Sequence, residues 1–242
     1  MKKCYFFLFS VAALGAVSFG SISAFADSEV EANPASTETP VKVVLELPDN
    51  GGENPTPPST PDDPDKPNPD KPGNKPNNPT GPFGIAYQPD YFNFGTNKLK
   101  DSGEQSFKAV VPQSGDKKFH VGVKDKSRET FGWTLKAKLQ GAVLNQGATV
   151  ELKNTKGVQA NRGDSSKAIL APIGSEVATA EKNVAVATDE AVVMTGNKGR
   201  LHNDVYDYEI DDVTLKIADA KNVAAGTYEG QVVWNLEKAP GV

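Results

Sequence analysis

Two stretches of the chain share one pattern of apolar and polar residues, and each predicts a half-buried β-strand. In residues 130–139 and 228–237, apolar side chains recur at every second position, with mostly polar residues between them. Successive side chains of a strand point to opposite faces, so each stretch has one apolar face and one mainly polar face. On the apolar face, each strand places a tryptophan two residues before a leucine. These four residues are Trp133, Leu135, Trp234 and Leu236.

Similar patterns continue through residues 83–242, which we predict to be the folded domain. Short runs of β-branched and aromatic residues alternate there with turns rich in Gly, Asn, Asp and Pro. Many short strands separated by such turns predict an all-β fold, either a sandwich or a barrel. Of the two, we expect an antiparallel β-sandwich of the Ig-like, Greek-key type.

Residues 1–26 are predicted to be a secretory signal peptide. Met-Lys-Lys opens the chain, an apolar run covers residues 5–20, and Ala24-Phe25-Ala26 offers small residues to a signal peptidase. The apolar run is too short for a good membrane span. The single cysteine, Cys4, lies within this peptide, so the secreted chain has no thiol for disulfides or catalysis.

Two further segments separate the signal peptide from the domain. Residues 27–47 are mainly polar, with one short strand predicted at 41–47 that could stay isolated or pair with the sheet of the domain. Residues 48–82 contain 12 of the chain's 18 prolines, interleaved with Asp, Asn and Lys. Because such a segment has few apolar residues and favours polyproline II, we expect a disordered spacer.

Charge and candidate chemistry exclude several classes of function. Without the signal peptide, 24 basic residues face 31 acidic ones, which argues against nucleic acid or an anionic membrane as the main partner. The two histidines, His120 and His202, lack neighbours at the spacing of metal ligands, and no hydrolase motif occurs. We therefore expect no cofactor, no metal and no enzymatic activity. One acidic group is interpreted as a solvated strand face rather than a calcium site; it comprises Asp204, Asp207, Asp211 and Asp212.

These features together resemble the WxL-domain surface proteins of low-GC Gram-positive bacteria. The resemblance covers about residues 27–242 and includes the signal peptide and the proline-rich segment. Its specific residues are Trp133-Thr134-Leu135, Trp234-Asn235-Leu236 and the domain entrance Phe92-Asn93-Phe94-Gly95.

The resemblance implies non-covalent attachment to the Gram-positive cell wall, with peptidoglycan as the receptor, and thus a location at the cell surface. It also implies assembly with membrane-anchored partner proteins. No Leu-Pro-x-Thr-Gly sorting motif occurs, so we expect retention by binding. Two alternatives stay open. One is a protein–protein subunit that binds a membrane-anchored partner by β-strand addition, with indirect wall retention; the other is a secreted hydrolase.

Two sets of residues are candidates for contact with the wall. The residues of the two Trp-x-Leu motifs could stack on sugar rings, or they could fill the core, as their alternation predicts. The second set is a group of basic residues, which we expect to form a positive patch against anionic wall polymer. Its members are Lys117, Lys118, Lys124, Lys126, Arg128, Lys136 and Lys138.

Overall fold

Residues 37–239 are described by the structure, which is a computed structural model. The predicted signal peptide at 1–26 lies outside these residues. Residues 1–44 and 45–242 are two separate units, and the described part of the first, 37–44, is exposed and has no regular structure. None of the helices within 37–239 is long and apolar enough to cross a membrane.

Fourteen strands make up the regular structure of residues 37–239, together with single 3-10 turns at Asp49–Gly51, Leu144–Gln146 and Ala220–Asn222. The strands are β1 (Asn74–Pro76), β2 (Phe83–Pro89), β3 (Gln105–Lys108), β4 (Phe119–Asp125), β5 (Trp133–Gly141), β6 (Ala148–Lys153), β7 (Val158–Asn161), β8 (Leu170–Pro172), β9 (Ala178–Ala180), β10 (Asn183–Val186), β11 (Ala191–Gly196), β12 (Asp204–Ile210), β13 (Asp212–Ile217) and β14 (Gly230–Lys238).

These strands form three antiparallel sheets. The largest has the order β1-β2-β4-β12-β7-β8, the second β10-β6-β13-β3, and the third β14-β5-β11-β9. The prediction of an all-β antiparallel fold is therefore confirmed. The Ig-like, Greek-key sandwich stays a prediction.

One apolar cluster takes residues from all three sheets. Val121 of β4, Leu135 of β5 and Val150 of β6 are each almost completely buried in it. In β5 the buried and half-buried positions alternate from Trp133 to Leu139, as period-2 patterning dictates. The side chains of the apolar face thus form the core, while Thr134, Lys136 and Lys138 face away from it.

The predicted strand at 41–47 is wrong. Residues 41–47 are exposed and form no strand, although Val41, Val43 and Leu45 are apolar residues at alternating positions, as in a strand. The strand propensity of a residue mainly reflects how well its side chain packs on a pleated surface. A strand also needs a neighbouring strand to satisfy its backbone hydrogen bonds. No described strand pairs with this segment, so the pattern alone does not produce one.

The proline-rich segment (residues 48–82) packs on the largest sheet, which corrects the prediction of a disordered spacer. It forms β1, which pairs with β2, and several of its residues are buried, among them Pro55, Pro58 and Ser59. Because proline has no backbone N–H, such a chain can be buried with few donors left to satisfy. The predicted domain boundary at 82/83 thus falls inside the folded unit 45–242.

Polar residues of the sheet hold the proline-rich segment in place. Buried Asn74 accepts a hydrogen bond from the backbone N–H of His120 at 2.7 Å and donates to the carbonyls of Pro58 and Lys118. Asn161 Nδ2 donates to Thr56 O at 3.0 Å, and Lys124 Nζ donates to Gly52 O at 3.0 Å. This side of the largest sheet is therefore polar and still buried, which explains why all seven residues of β4 are inaccessible.

Candidate functional site

The two Trp-x-Leu motifs, about a hundred residues apart in the chain, lie on neighbouring strands. β14 pairs with β5 along its whole length, and the register places Leu236 opposite Leu135 and Trp234 opposite Ala137. Directly opposed residues of an antiparallel pair lie on the same face. The four motif residues therefore share the inner face of one two-stranded unit.

The first motif belongs to the core. Trp133 is 1% exposed and Leu135 is completely buried. The indole ring packs against the rings of Tyr206 and His202, with centroids 5.4 and 6.2 Å away. It also lies so close to Gly196 that a Cβ there would be 2.2 Å from the ring. Trp133 and Leu135 thus act on any ligand only through the fold.

The second motif lies at the margin of the core. Trp234 and Leu236 are half-buried and pack against the apolar cluster from β14. Within the described residues β14 pairs only with β5, so it is an edge strand, and its outer row of backbone groups has no ladder partner there. Of the two motifs, this one is accessible from solvent.

The outer face of the β5–β14 pair carries a small network of charged residues. Lys136 Nζ lies 2.6 Å from Glu237 and 3.6 Å from Glu190, and the hydrogen bond with Glu237 raises the pKa of the lysine. Asn235 donates to Glu190 at 3.1 Å. Because Lys136 is already paired with two carboxylates, it adds little positive field for an anionic ligand.

The basic residues do not form one patch, and this expectation is corrected. Lys118 precedes β4 and forms an ion pair with Asp211, whereas Lys126 follows β4 and donates a hydrogen bond to the carbonyl of Glu53. Because the seven residues of β4 separate them, the Cα atoms of Lys118 and Lys126 are more than about 20 Å apart. Lys124 is fully buried, and burial lowers its pKa. Lys136 and Lys138 belong to a different sheet, on β5. Lys117 and Arg128 are the members that are exposed.

A cleft of about 550 Å³ opens next to the first motif. Tyr206, whose ring packs on Trp133, lines it together with Leu201 and Ile173. Arg162 and Asp204 form a two-pronged ion pair at its edge, with both N–O distances 3.2 Å. The cleft is shallow and open, and its accessible lining is more polar than apolar, so it suits a polar, extended ligand better than a small enclosed one.

This cleft was not predicted from the sequence. Arg162 follows β7 and Asp204 opens β12, and these strands are neighbours in the largest sheet. Only the β7–β12 register brings the two residues together, since 42 positions separate them in the chain. The acidic group that includes Asp204 was interpreted as a solvated strand face. In the structure Asp207 is instead buried, and Asp211 binds Thr155 and Lys118.

A buried chain of polar groups lies under the proline-rich segment. His120, which is 0% exposed, has Nδ1 2.9 Å from Asp207 and Nε2 2.9 Å from Asp116. Tyr87 donates from its hydroxyl to Asp207 at 2.8 Å, and its ring fills the space that a side chain at Gly122 would need. The spacing of the histidines could not predict Asp207, which comes 87 positions later, whereas Asp116 lies only four positions before His120.

The groups around His120 favour the protonated, positively charged form of its imidazole ring in the metal-free protein. Burial alone would lower the pKa of His120, but attraction to Asp207 and hydrogen bonds to Asp116 and Asp207 raise it to about 10. Although burial raises the pKa of Asp116, its hydrogen bond and charge interaction with His120 lower it to about 2. Burial, followed by the charge of Asp207, raises the pKa of Tyr87 well above its usual value, so its hydroxyl keeps the proton that it donates.

Comparison with known proteins matches most of the chain to one protein family. The family model of the WxL domain, described as surface and cell wall-binding, matches residues 32–240. No curated protein and no solved structure matches the chain. The match spans both Trp-x-Leu strands, the cleft and the proline-rich segment. The chain therefore belongs to the WxL family of surface, cell-wall-binding domains.

Proposed function

We propose that this protein is secreted and attaches non-covalently to the peptidoglycan of a Gram-positive cell wall, without catalysing a reaction. The observation that carries the proposal is the match of a cell-wall-binding family model to residues 32–240, nearly the whole chain. A wall polymer repeats its units, so even a weak contact gains from multivalent attachment.

The cleft beside the first motif is the place we propose for wall contact. It has half-exposed or exposed apolar residues, such as Leu201 and Ile173, for the faces of sugar rings. The Arg162–Asp204 pair lies at its edge, and because this pair is exposed to solvent, a charged peptide stem can compete for either group. Because Tyr206 lines the cleft and packs on Trp133, the buried motif supports the shape of this site from behind.

Binding to protein-free sacculi tests this placement. Arg162→Gln and Leu201→Ser change exposed side chains, so both variants should fold and bind sacculi at least several-fold more weakly than the wild type. Lys108→Gln is the matched control, because Lys108 forms a similar exposed ion pair with Asp212 on another sheet. Unchanged binding by both cleft variants would exclude the cleft, while wall attachment would remain supported by binding of the wild type.

A second candidate function is a subunit that binds a membrane-anchored surface partner by β-strand addition. The edge position of β14 favours it, because a partner strand could pair with the backbone groups on the outer side of β14. Backbone hydrogen bonds of β14 to β5 come from its odd-numbered positions, so the N–H of Val232 faces the outer side. Replacing Val232 by proline would remove that outward-facing donor. If the protein is such a subunit, the wild type should bind wall only when the partner is present, and Val232→Pro should weaken that binding.

A further inference from the structure

Asp116, His120 and Glu209 bring three potential metal ligands together beside the proline-rich segment. Their ligand atoms all lie within 4.8 Å of one another. Glu209 stands directly opposite His120 in the β12–β4 ladder, and Asp116 lies just before β4. None of the three belongs to the Trp-x-Leu strands or lines the cleft, so the cluster has no part in the proposed wall contact.

A second, independent feature orients the histidine as metal ligands are oriented. Nδ1 of His120 is held at 2.9 Å by Asp207, a carboxylate that is itself completely buried and bound by the Tyr87 hydroxyl. Metal-binding histidines almost always donate their other ring N–H to such a group, which fixes the tautomer and the ring plane. Nε2 of His120 is hydrogen-bonded to Asp116 Oδ2 at 2.9 Å, so a metal ion that binds Nε2 would replace the proton shared by these two groups.

The cluster is buried on one side and open on the other. His120 and Glu209 are inaccessible, but the Asp116 side chain is 39% exposed. Lys156, which is 54% exposed, places its ammonium group 2.8 Å from Glu209. The ammonium group of Lys156 is thus the positive charge that pairs with Glu209 in the metal-free protein. Because the Lys156 side chain is exposed, it can rotate into solvent when a metal ion binds Glu209.

We propose that Asp116, His120 and Glu209 bind one divalent transition-metal ion, with Asp207 as the positioning residue for His120. A mixed set of one imidazole and two carboxylates suits Zn²⁺ better than Ca²⁺ or Mg²⁺, which prefer oxygen ligands. Ligands of a tetrahedral zinc ion are about 3.4 Å apart, at ~2.1 Å from the metal. The widest pair here, up to 4.8 Å apart, must therefore close by up to about 1.4 Å when the metal binds.

Titration of the purified protein with zinc chloride, followed by calorimetry, tests the proposal directly. The wild type should bind one zinc ion per chain, and cobalt should give the absorption bands of a low-symmetry four- or five-coordinate site. Asp116→Asn and Glu209→Gln keep the shape of each side chain and should each weaken zinc binding by about tenfold or more. Asp212→Asn, which removes an exposed carboxylate paired with Lys108, is the control and should bind like the wild type.

The Lys156→Gln variant should change zinc affinity in the opposite direction to the carboxylate variants. Removing the ammonium group frees Glu209, so zinc affinity should rise several-fold, an effect that misfolding would not produce. Absence of stoichiometric zinc binding by the wild type overturns the proposal, whatever the stability of the variants. Equal affinity of the wild type and all carboxylate variants also overturns it, because the ion would then bind elsewhere.

Discussion

Trp133 is a family-motif residue whose role is to stabilise the fold and not to contact a ligand. Its ring is enclosed by Tyr206, His202 and the backbone at Gly196, so its mutation acts first on stability. Truncating a buried tryptophan to alanine costs about 3–5 kcal/mol. Loss of wall binding by Trp133→Ala would therefore not identify a wall-contacting residue.

The contact between Trp133 and Gly196 gives a sharp prediction at this scale. Gly196→Ala should lower the free energy of unfolding by about 1–3 kcal/mol, because the new methyl group would overlap the indole ring. Urea unfolding followed by tryptophan fluorescence measures this change. Gly81→Ala is the control, since a Cβ at Gly81 has open space around it. Equal stability of the two variants would contradict the packing described for Trp133.

His120 provides a prediction on pH dependence in metal-free buffer. Its pKa of about 10 in the folded protein exceeds the usual value of 6.5. The stabilisation from the charged imidazole is thus complete below about pH 6.5 and is lost as the pH rises through 10. NMR titration of the His120 ring in EDTA should give a midpoint far above 6.5, and a midpoint near 6.5 would contradict the ion pairs with Asp207 and Asp116.

Sequence patterns predicted single residues only as far as local alternation reaches. The apolar face of Trp133 and Leu135 follows from period-2 patterning. The pairing of His120 with Asp207 and that of Lys136 with Glu237 do not, because these partners lie 87 and 101 positions later in the chain. Such contacts depend on which strands become neighbours, and alternation within one strand carries no information on that.

At the scale of elements, the proline-rich segment is the largest difference between expectation and structure. Its composition predicts an extended chain, and the chain is indeed mostly without regular structure between residues 52 and 73. What composition does not reveal is the buried polar face of β4 and β7, which supplies hydrogen bonds to the segment. An extended polyproline chain and a packed one differ only in whether such a surface is available.

Asn74 tests whether the proline-rich segment is held by these hydrogen bonds. Asn74→Ala should lower the free energy of unfolding by about 1–3 kcal/mol, because the backbone N–H of His120 would lose its buried acceptor. It should also speed protease cleavage within residues 48–82. Asn68→Ala is the matched control in an exposed part of the same segment. Cleavage of the wild type as fast as an unfolded peptide would contradict the packed arrangement.

For the β5–β14 pair, by contrast, the sequence predicts each strand, and the structure adds that the two strands are paired. Each Trp-x-Leu strand was predicted from its own alternation, and the register then sets Leu135 against Leu236. The difference in exposure between the motifs comes from position in the sheet, since among the strands of residues 37–239 β5 has two neighbours and β14 has one. Trp234→Ala should accordingly destabilise the protein less than Trp133→Ala, and equal unfolding midpoints in urea would contradict this.

At the scale of the whole molecule, separate parts of the surface and core take different roles. The paired Trp-x-Leu strands build the core of one sheet, the cleft beside them is proposed for wall contact, and the His120 cluster lies under the proline-rich segment. The expected basic patch is replaced by lysines that are paired, buried or far apart. Recognition through the cleft therefore predicts only a weak dependence of wall binding on salt.

Sedimentation of the purified protein with protein-free Gram-positive sacculi tests the central proposal most directly. The wild type should bind saturably in the absence of any protein partner, and soluble peptidoglycan fragments should compete. Heat-denatured protein is the control for non-specific adsorption. A folded wild-type protein that stays entirely in the supernatant would contradict direct wall attachment and would favour a partner bound at the edge of β14.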